Sequence, residues 1–149
     1  MSSRKLYEEA QRWYRQAQDD LEAAEVLLIA EKYAQTCFYA QHAGEKALKA
    51  VWFFLDLDPW GHSCTKLIKD LPNEGKYFSE IIDTAKALDK LYIPTRYPDA
   101  LAEITPAEAF TKHEAKAAIA LSQGLLRKVN SRIVENDNLA DPASLEDDD

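Results

Sequence analysis

Three polar side chains stand four positions apart in a stretch rich in aromatic residues and alanine: Gln41, Glu45 and Lys49. A spacing of four puts all three on one side of a helix, and a Glu four residues before a Lys is the favourable order. The residues that flank them are apolar: Phe38, Leu48, Trp52 and Leu55. The column can line a solvated face, or it can lie near the packed side, where each polar group needs a partner.

Other charged side chains could supply those partners. Candidates are Asp19 or Asp20, His62 and Arg96. Arg96 can pair with a carboxylate through two parallel hydrogen bonds, and it could meet a phosphate in the same way. Lys49 could bind phosphate too, while Tyr97 or Trp52 could stack on a planar ring.

An arginine beside a histidine can also cleave RNA, because the arginine stabilises the phosphate and the histidine moves the proton. We expect His42 at the surface or at an interface, His62 at the start of a short helix against the bundle, and His113 exposed. The sequence contains no GxSxG, HExxH, dinucleotide fingerprint or phosphate-cradling glycine loop. Cys37 and Cys64 lack metal-ligand spacing, so we expect buried thiols and no metal site.

The acidity of the chain is concentrated at one end. Seven of the 26 acidic residues follow Arg132, and the remaining 19 face 18 basic residues. We therefore expect a nearly neutral domain over residues 1–135 and an acidic, solubilising tail over residues 136–149. This balance disfavours RNA as a partner. No apolar run approaches the ~18 residues of a membrane span and no export signal is visible, so a cytoplasmic location is expected.

Apolar residues at spacings of three and four predict long helices over residues 5–30, 34–57, 76–91 and 112–134. A short helix is predicted over residues 64–71, and capping boxes over residues 105–108 and 111–114. Pro94 and Pro98 exclude a helix in the stretch LYIPTRYPDA, residues 91–100. The predicted fold is all-α: an up-and-down antiparallel bundle of the four-helix type with one short extra helix.

The order and spacing of several elements resemble the HEPN (higher eukaryotes and prokaryotes nucleotide-binding) domain over about residues 13–129. These elements are AQDDL at 17–21, QHAGEKALKA at 41–50, the helix start at His62 and RYPD at 96–99. Many relatives have two glutamines where this chain has Gln41 and His42.

The resemblance implies a helical bundle that often forms a homodimer. Some members are ribonucleases, frequently toxins, in which an arginine is followed four to six residues later by a histidine. None of the six arginines here has that histidine, and Arg96 and His113 are seventeen positions apart. Other members are small helical partners of minimal nucleotidyltransferases, for which nucleotide binding has been proposed, and RYPD is typical of this non-nuclease branch.

We therefore expect a non-catalytic homodimer that binds a purine nucleotide (ATP or GTP) or a minimal nucleotidyltransferase, as in a toxin–antitoxin pair. The residues expected to form its polar cluster are Asp20, Gln41, Glu45, Lys49, His62, Arg96, Tyr97 and Asp99. Two alternatives stay open: a ribonuclease that combines Arg96 with a histidine from elsewhere, and a dimeric adaptor whose polar column only fixes helix register. In each case the stiff loop is expected to hold Arg96 in place.

Overall fold

The computed structural model describes residues 2–93 and 95–135, and all regular structure within them is helical. Three long helices form the bundle: α1 (Ser3–Ile29), α2 (Tyr33–Phe54) and α6 (Lys112–Glu135). Three shorter helices complete it: α3 (Cys64–Lys69), α4 (Ile82–Asp89) and α5 (Pro106–Ala109). The predicted all-α fold is confirmed, whereas Pro94 and the predicted acidic tail lie outside the described residues.

Small residues let α1 and α2 pack closely. Ala10, Ala17 and Ala24 recur every seven positions on α1 and are fully buried. The buried side of α2 is equally small, with Ala43, Ala47 and Ala50. Glu31 has a left-handed φ of 61°, so the chain reverses within a few residues and the two helices run antiparallel. The third long helix then packs on both of them, and its buried seam includes Leu125 and Val129.

Two predicted helices differ most from the structure, while the other three differ by no more than two residues at either end. The predicted helix over residues 76–91 is a 3₁₀ turn, Tyr77–Ile81, followed by α4. The apolar pattern of this segment fits both a 3₁₀ helix and an α-helix, because 3.0 and 3.6 residues per turn cannot be distinguished over so few residues. The buried residues that form the pattern are Phe78, Ile81, Ala85 and Leu88. The second helix ends at Phe54 rather than residue 57, since Asp56 takes a φ of 58°, which aspartate tolerates better than most residues. Both predicted capping boxes are present.

One carboxylate joins α4 to α3. The Oδ1 of Asp89 accepts from the Cys64 backbone N–H at 2.6 Å. Its Oδ2 accepts from the Ser63 hydroxyl at 2.8 Å and from the Thr65 N–H at 3.1 Å. These bonds satisfy free N–H groups at the start of α3. They also fix the position of His62, directly before the helix, relative to the loop that follows α4.

Both cysteines are buried free thiols, as predicted. Burial, followed by the charge of Glu114, raises the pKa of Cys37 to about 12. Burial likewise raises the pKa of the Cys64 thiol well above its usual value. Neither sulfur is therefore a reactive thiolate at neutral pH.

Candidate functional site

The centre of the site is the guanidinium of Arg96, which lies between two aromatic rings. Its Cζ is 4.1 Å from the centre of the Phe38 ring and 4.0 Å from that of Tyr92. His42 stacks on Phe38 at 4.6 Å, and His62 stacks on Tyr92 at 5.2 Å. Because two planar groups cannot share one face of a ring, the five groups form a single stack. Its order is His42, Phe38, Arg96, Tyr92 and His62.

The edge of the guanidinium is tied to the bundle by hydrogen bonds. Arg96 donates from Nη2 to the Oε1 of Gln41 at 3.3 Å, and from Nη1 to the backbone carbonyl of Tyr92. Gln41 is fully buried, and its Nε2 donates to the His62 carbonyl at 3.3 Å and to Glu45 at 3.4 Å. One buried amide therefore connects α2 to the loop before α3 and to the loop after α4.

Glu45 is a buried carboxylate with a lysine and a histidine beside it. Its Oε2 lies 3.0 Å from the Lys49 Nζ and 3.3 Å from the His62 Nδ1. Burial alone would raise the pKa of Glu45, but the hydrogen bonds and charges of Lys49 and His62 outweigh it, so the pKa is lowered. The carboxylate is therefore ionised at neutral pH and Lys49 is held in an internal ion pair.

His42, which we expected at the surface or at an interface, is half-buried in the stack, and its place at an interface stays a prediction. Burial, and after it the charge of Arg96, lowers the pKa of His42, while Glu45 and Asp20 act in the opposite direction. The imidazole is consequently neutral at neutral pH. His113 is exposed, as expected.

Five of the eight predicted site residues are brought together by the structure: Gln41, Glu45, Lys49, His62 and Arg96. Asp20 lies apart, where its carboxylate pairs with Lys46 at 2.7 Å and accepts from Gln16 at 3.1 Å. Tyr97 and Asp99 are exposed, and within the described residues no side-chain hydrogen bond joins them to the cluster. The column is thus on the packed side of α2.

The contacts of Arg96 with these two rings were not predicted from the sequence. Tyr92 is four residues before Arg96, and Phe38 is four residues before His42. Those spacings are a usable signal for stacking within one helical turn. The sequence does not show that the turn after α4 would lie across α2, so the contact between Phe38 and Arg96 could not be predicted.

Exposed apolar side chains lie on the two loops that contribute His62 and Arg96 to this cluster. Trp60, between α2 and α3, is 78% exposed. The loop between α4 and α5 contributes Ile93 at 46%, Tyr97 at 50% and Ile104 at 43%. The two loops meet at the stacked rings of His62 and Tyr92, where Ile93 also lines a shallow 240 Å³ pocket. We call Trp60, Ile93, Tyr97 and Ile104 the loop face.

Two further properties constrain the possible chemistry. Within residues 2–93 and 95–135, no group of three or more His, Cys, Asp and Glu side chains is placed to hold a metal ion. No helix in that part of the chain is long and apolar enough to cross a membrane.

Comparison with known proteins establishes the family. The sequence model described as "HEPN domain" matches residues 10–132, which is most of the chain. The chain therefore belongs to the HEPN domain family.

Several known proteins resemble this chain. The crystal structure of TT1696 from Thermus thermophilus has 40% sequence identity and a TM-score of 0.79, and the match covers 83% of this chain and 97% of that one. ST0689, described as an archaeal HEPN homologue, has 33% identity and a TM-score of 0.70 over the same shares. The protein named "Putative toxin MJ1304" from Methanocaldococcus jannaschii is 24% identical over 85% of this chain and 89% of its own length.

Proposed function

We propose that this chain is a non-catalytic HEPN protein that acts by binding a protein partner through the loop face. The observation that carries the proposal is the exposure of four large apolar side chains on two loops that meet at the stacked rings of His62 and Tyr92. Large exposed apolar side chains are typical of interaction sites when they share a surface, and aromatic residues are enriched at the energetic centres of such sites.

The polar cluster supports this proposal because it fixes the two loops that bear the loop face. Both faces of the Arg96 guanidinium are covered, and Nη1 and Nη2 donate to groups of the same chain. Lys49 is paired with Glu45. These contacts hold the two loops in one conformation, so ordering them costs less conformational entropy when a partner binds. Binding of ATP or GTP by this cluster remains a prediction, for which titration calorimetry is the test.

We propose a minimal nucleotidyltransferase as the partner, in a pair of the toxin–antitoxin type with this chain as a homodimer. Two features support this choice. A relative whose match covers 85% of this chain is named "Putative toxin MJ1304", and a toxin needs a second protein to restrain it. The RYPD element at residues 96–99 is the feature that resembles the branch encoded beside nucleotidyltransferases.

Co-expression tests this partnership. The chain would be expressed with a minimal nucleotidyltransferase from the same genome, and the complex isolated through a tag on the nucleotidyltransferase. Wild type should co-purify in a fixed ratio, whereas Trp60→Ser combined with Ile93→Ser should not. Val26→Ser with Ile29→Ser removes exposed apolar groups from α1 instead and should co-purify normally. Equal recovery of all three proteins would contradict the assignment to the loop face.

A second candidate function is favoured by one specific contact. The Glu45 Oε2 lies 3.3 Å from the His62 Nδ1, as a carboxylate does when it orients a catalytic histidine. The His62 side chain is 60% exposed, and Tyr92 alone separates its ring from Arg96. A ribonuclease could therefore use His62 to move a proton, and Arg96 would have to leave its contacts with Gln41 and the Tyr92 carbonyl to stabilise the phosphate.

An RNA cleavage assay separates the two candidates. A ribonuclease that uses His62 should lose at least about 100-fold of its rate in His62→Gln, the usual contribution of a general acid or base. His113→Gln is the matched control, since His113 is exposed and far along the chain from the cluster. No cleavage by wild type, or equal cleavage by both variants, would exclude the nuclease that uses His62.

A further inference from the structure

Three arginines follow one another along the outer surface of the first half of α1. Spacings of three and four place them on one side of the helix with a glutamate and a glutamine. In chain order, this side presents Arg4, Glu8, Gln11, Arg12 and Arg15. The last four of these residues, with Tyr7, line an open groove of about 380 Å³. We call Arg4, Arg12 and Arg15 the basic strip.

The charge of α1 changes sign along its length. Residues 3–16 contain four basic and two acidic residues, and four minus two leaves two positive charges. Residues 17–29 contain four acidic residues and no basic one. An acidic ligand is therefore attracted to the first half of the helix and repelled by the second.

The arginines of the basic strip are held by surface ion pairs at most. The Arg12 side chain is 71% exposed and lies 2.8 Å from Glu9. Arg4 lies 4.0 Å from Glu8, and both side chains are more than half exposed. Arg15 is exposed and makes no ion pair or side-chain hydrogen bond within residues 2–93 and 95–135. Because exposed pairs contribute little to stability, these guanidinium groups can exchange them for another carboxylate.

Helix α6 ends beside the basic strip. The Tyr14 hydroxyl donates to the Leu126 carbonyl at 3.0 Å. Further along α6, the Arg132 guanidinium lies 5.8 Å from the centre of the Phe54 ring. The same ring meets Tyr7 edge-on, with ring centres 6.5 Å apart. Since Tyr7 also lines the groove, the chain leaves α6 next to the strip.

The residues that follow α6 have the complementary charge. Residues 136–149 contain six acidic residues and no basic one, and positions 146–149 are all acidic. Fourteen extended residues span up to ~45 Å. Arg12 is five positions beyond Tyr7 on α1, which is about 8 Å along the helix axis. This acidic tail is therefore long enough to reach the strip.

We propose that the basic strip is the docking surface for the acidic tail of the same chain, residues 136–149. Arg12 and Arg15 bind carboxylates of residues 146–149, because a guanidinium matches a carboxylate through two parallel hydrogen bonds. The tail is tethered beside the strip, so its local concentration is on the order of millimolar and weak pairs are sufficient. A docked tail closes the strip to other acidic surfaces. The contact is independent of the loop face, which lies on two other loops.

Spin-label NMR on the full chain tests this contact. The label is attached through Ser144→Cys, and the native thiols do not compete because both are buried. At about 0.1 M salt, the label should remove most of the amide signal of Arg12 and Arg15. The amides of Val26 and Ile29, more than about 15 Å further along α1, should keep theirs. Raising the salt to about 1 M shortens the screening length from ~10 Å to ~3 Å and should restore the lost signals.

Charge reversal identifies the groups that hold the tail. Arg12→Glu with Arg15→Glu should restore the signals of this part of α1. The matched control is Lys112→Glu with Lys116→Glu, which reverses two exposed charges at the opposite end of α6 from the tail and should leave the signal loss intact. A variant with Glu146→Gln and asparagine at positions 147–149 changes no residue of the bundle, so it keeps the test valid if the arginine variant does not fold. It should also restore the signals.

Three results would overturn the proposal. The first is full signal for Arg12 and Arg15 in the labelled wild type, and the second is a loss that persists in about 1 M salt or after charge reversal. The third comes from a mixture of spin-labelled chains with isotope-labelled chains that carry no spin label. An equal signal loss in that mixture would show that the strip binds the tail of a second copy rather than its own.

Discussion

Arg96 donates a hydrogen bond from Nη2 to the Oε1 of Gln41 at 3.3 Å, across 55 positions of the sequence. Gln41 is fully buried on α2, and its Nε2 donates to the carbonyl of His62. A single side-chain amide thus links the two loops that carry the loop face. The stability of the fold and the conformation of the proposed binding surface therefore depend on the same contact.

Replacing Arg96 should destabilise the fold. Arg96→Ala removes two cation–π contacts and leaves the Gln41 carbonyl oxygen buried without its donor. We expect a loss of about 2–3 kcal/mol in the free energy of unfolding, measured by urea denaturation. Arg96→Lys should recover little of this, because an ammonium cannot fill the planar space between two rings while reaching both acceptors.

The matched control is Arg127→Ala, which truncates an exposed arginine on α6. It should change the free energy of unfolding by no more than about 0.5 kcal/mol. If Arg96→Ala lowered the free energy of unfolding no more than this control does, the stack would not hold the loops to α2.

Acidification should weaken the fold through His42. The pKa of His42 is lowered below its ordinary 6.5 by burial and then by Arg96, so the unfolded chain binds this proton more readily than the folded one. Stability therefore falls as the pH drops through about 6.5 and continues to fall until the folded pKa is passed. In His42→Gln the free energy of unfolding should depend less on pH between about 7 and 5.

Two groups allow the origin of this pH dependence to be checked. His113→Gln changes an exposed histidine and should leave the wild-type slope intact. Glu45 acts at lower pH: its pKa is lowered from 4.5, so its contribution is complete above that value and is lost as the pH falls through the folded pKa. A steep slope between pH 7 and 5 that survives in His42→Gln would assign the effect to another group.

The two helical glycines Gly44 and Gly124 should respond oppositely to alanine. A Cβ at Gly44 would lie 2.9 Å from the Cδ1 of Leu88, which is fully buried between α2 and α4. A Cβ at Gly124 would meet only the guanidinium of Arg127, at 3.8 Å. Alanine gains about 1 kcal/mol over glycine in a helix interior, so Gly124→Ala should raise the midpoint of thermal unfolding.

At Gly44 the clash should exceed that gain, because neighbouring side chains in a packed core have little room to move. We expect Gly44→Ala to lower the midpoint of thermal unfolding. A rise equal to that of Gly124→Ala would show that α4 packs less closely on α2 than the structure describes.

Much of the fold could be predicted because its signals are local. The long helices follow from apolar spacing, and residues 105–108 and 111–114 carry complete capping boxes that the structure retains. The break at Ile81 and the early end at Phe54 could not be predicted. Both depend on backbone angles at single residues, to which periodicity is insensitive.

The polar column and two of its partners could also be predicted, because the four-residue spacing of Gln41, Glu45 and Lys49 is visible in the sequence. The sequence did not allow us to predict which acidic side chain would pair with which basic one. Asp20 lies beside Lys46 rather than the column because the register of α1 on α2 sets that contact. The sandwich of Arg96 likewise depends on a long-range crossing between Phe38 on α2 and Tyr92 after α4.

Amide hydrogen exchange, measured on the chain with and without the co-purified nucleotidyltransferase, tests most directly whether the loop face binds this partner. If the loop face is the binding surface, exchange should slow in residues 57–63 and 95–105, where Trp60, Tyr97 and Ile104 are exposed. Exchange around exposed Val26 and Ile29 at the end of α1 should not change. Protection confined to the end of α1, with both loops exchanging at the rate of the free chain, would show that the partner does not bind the loop face.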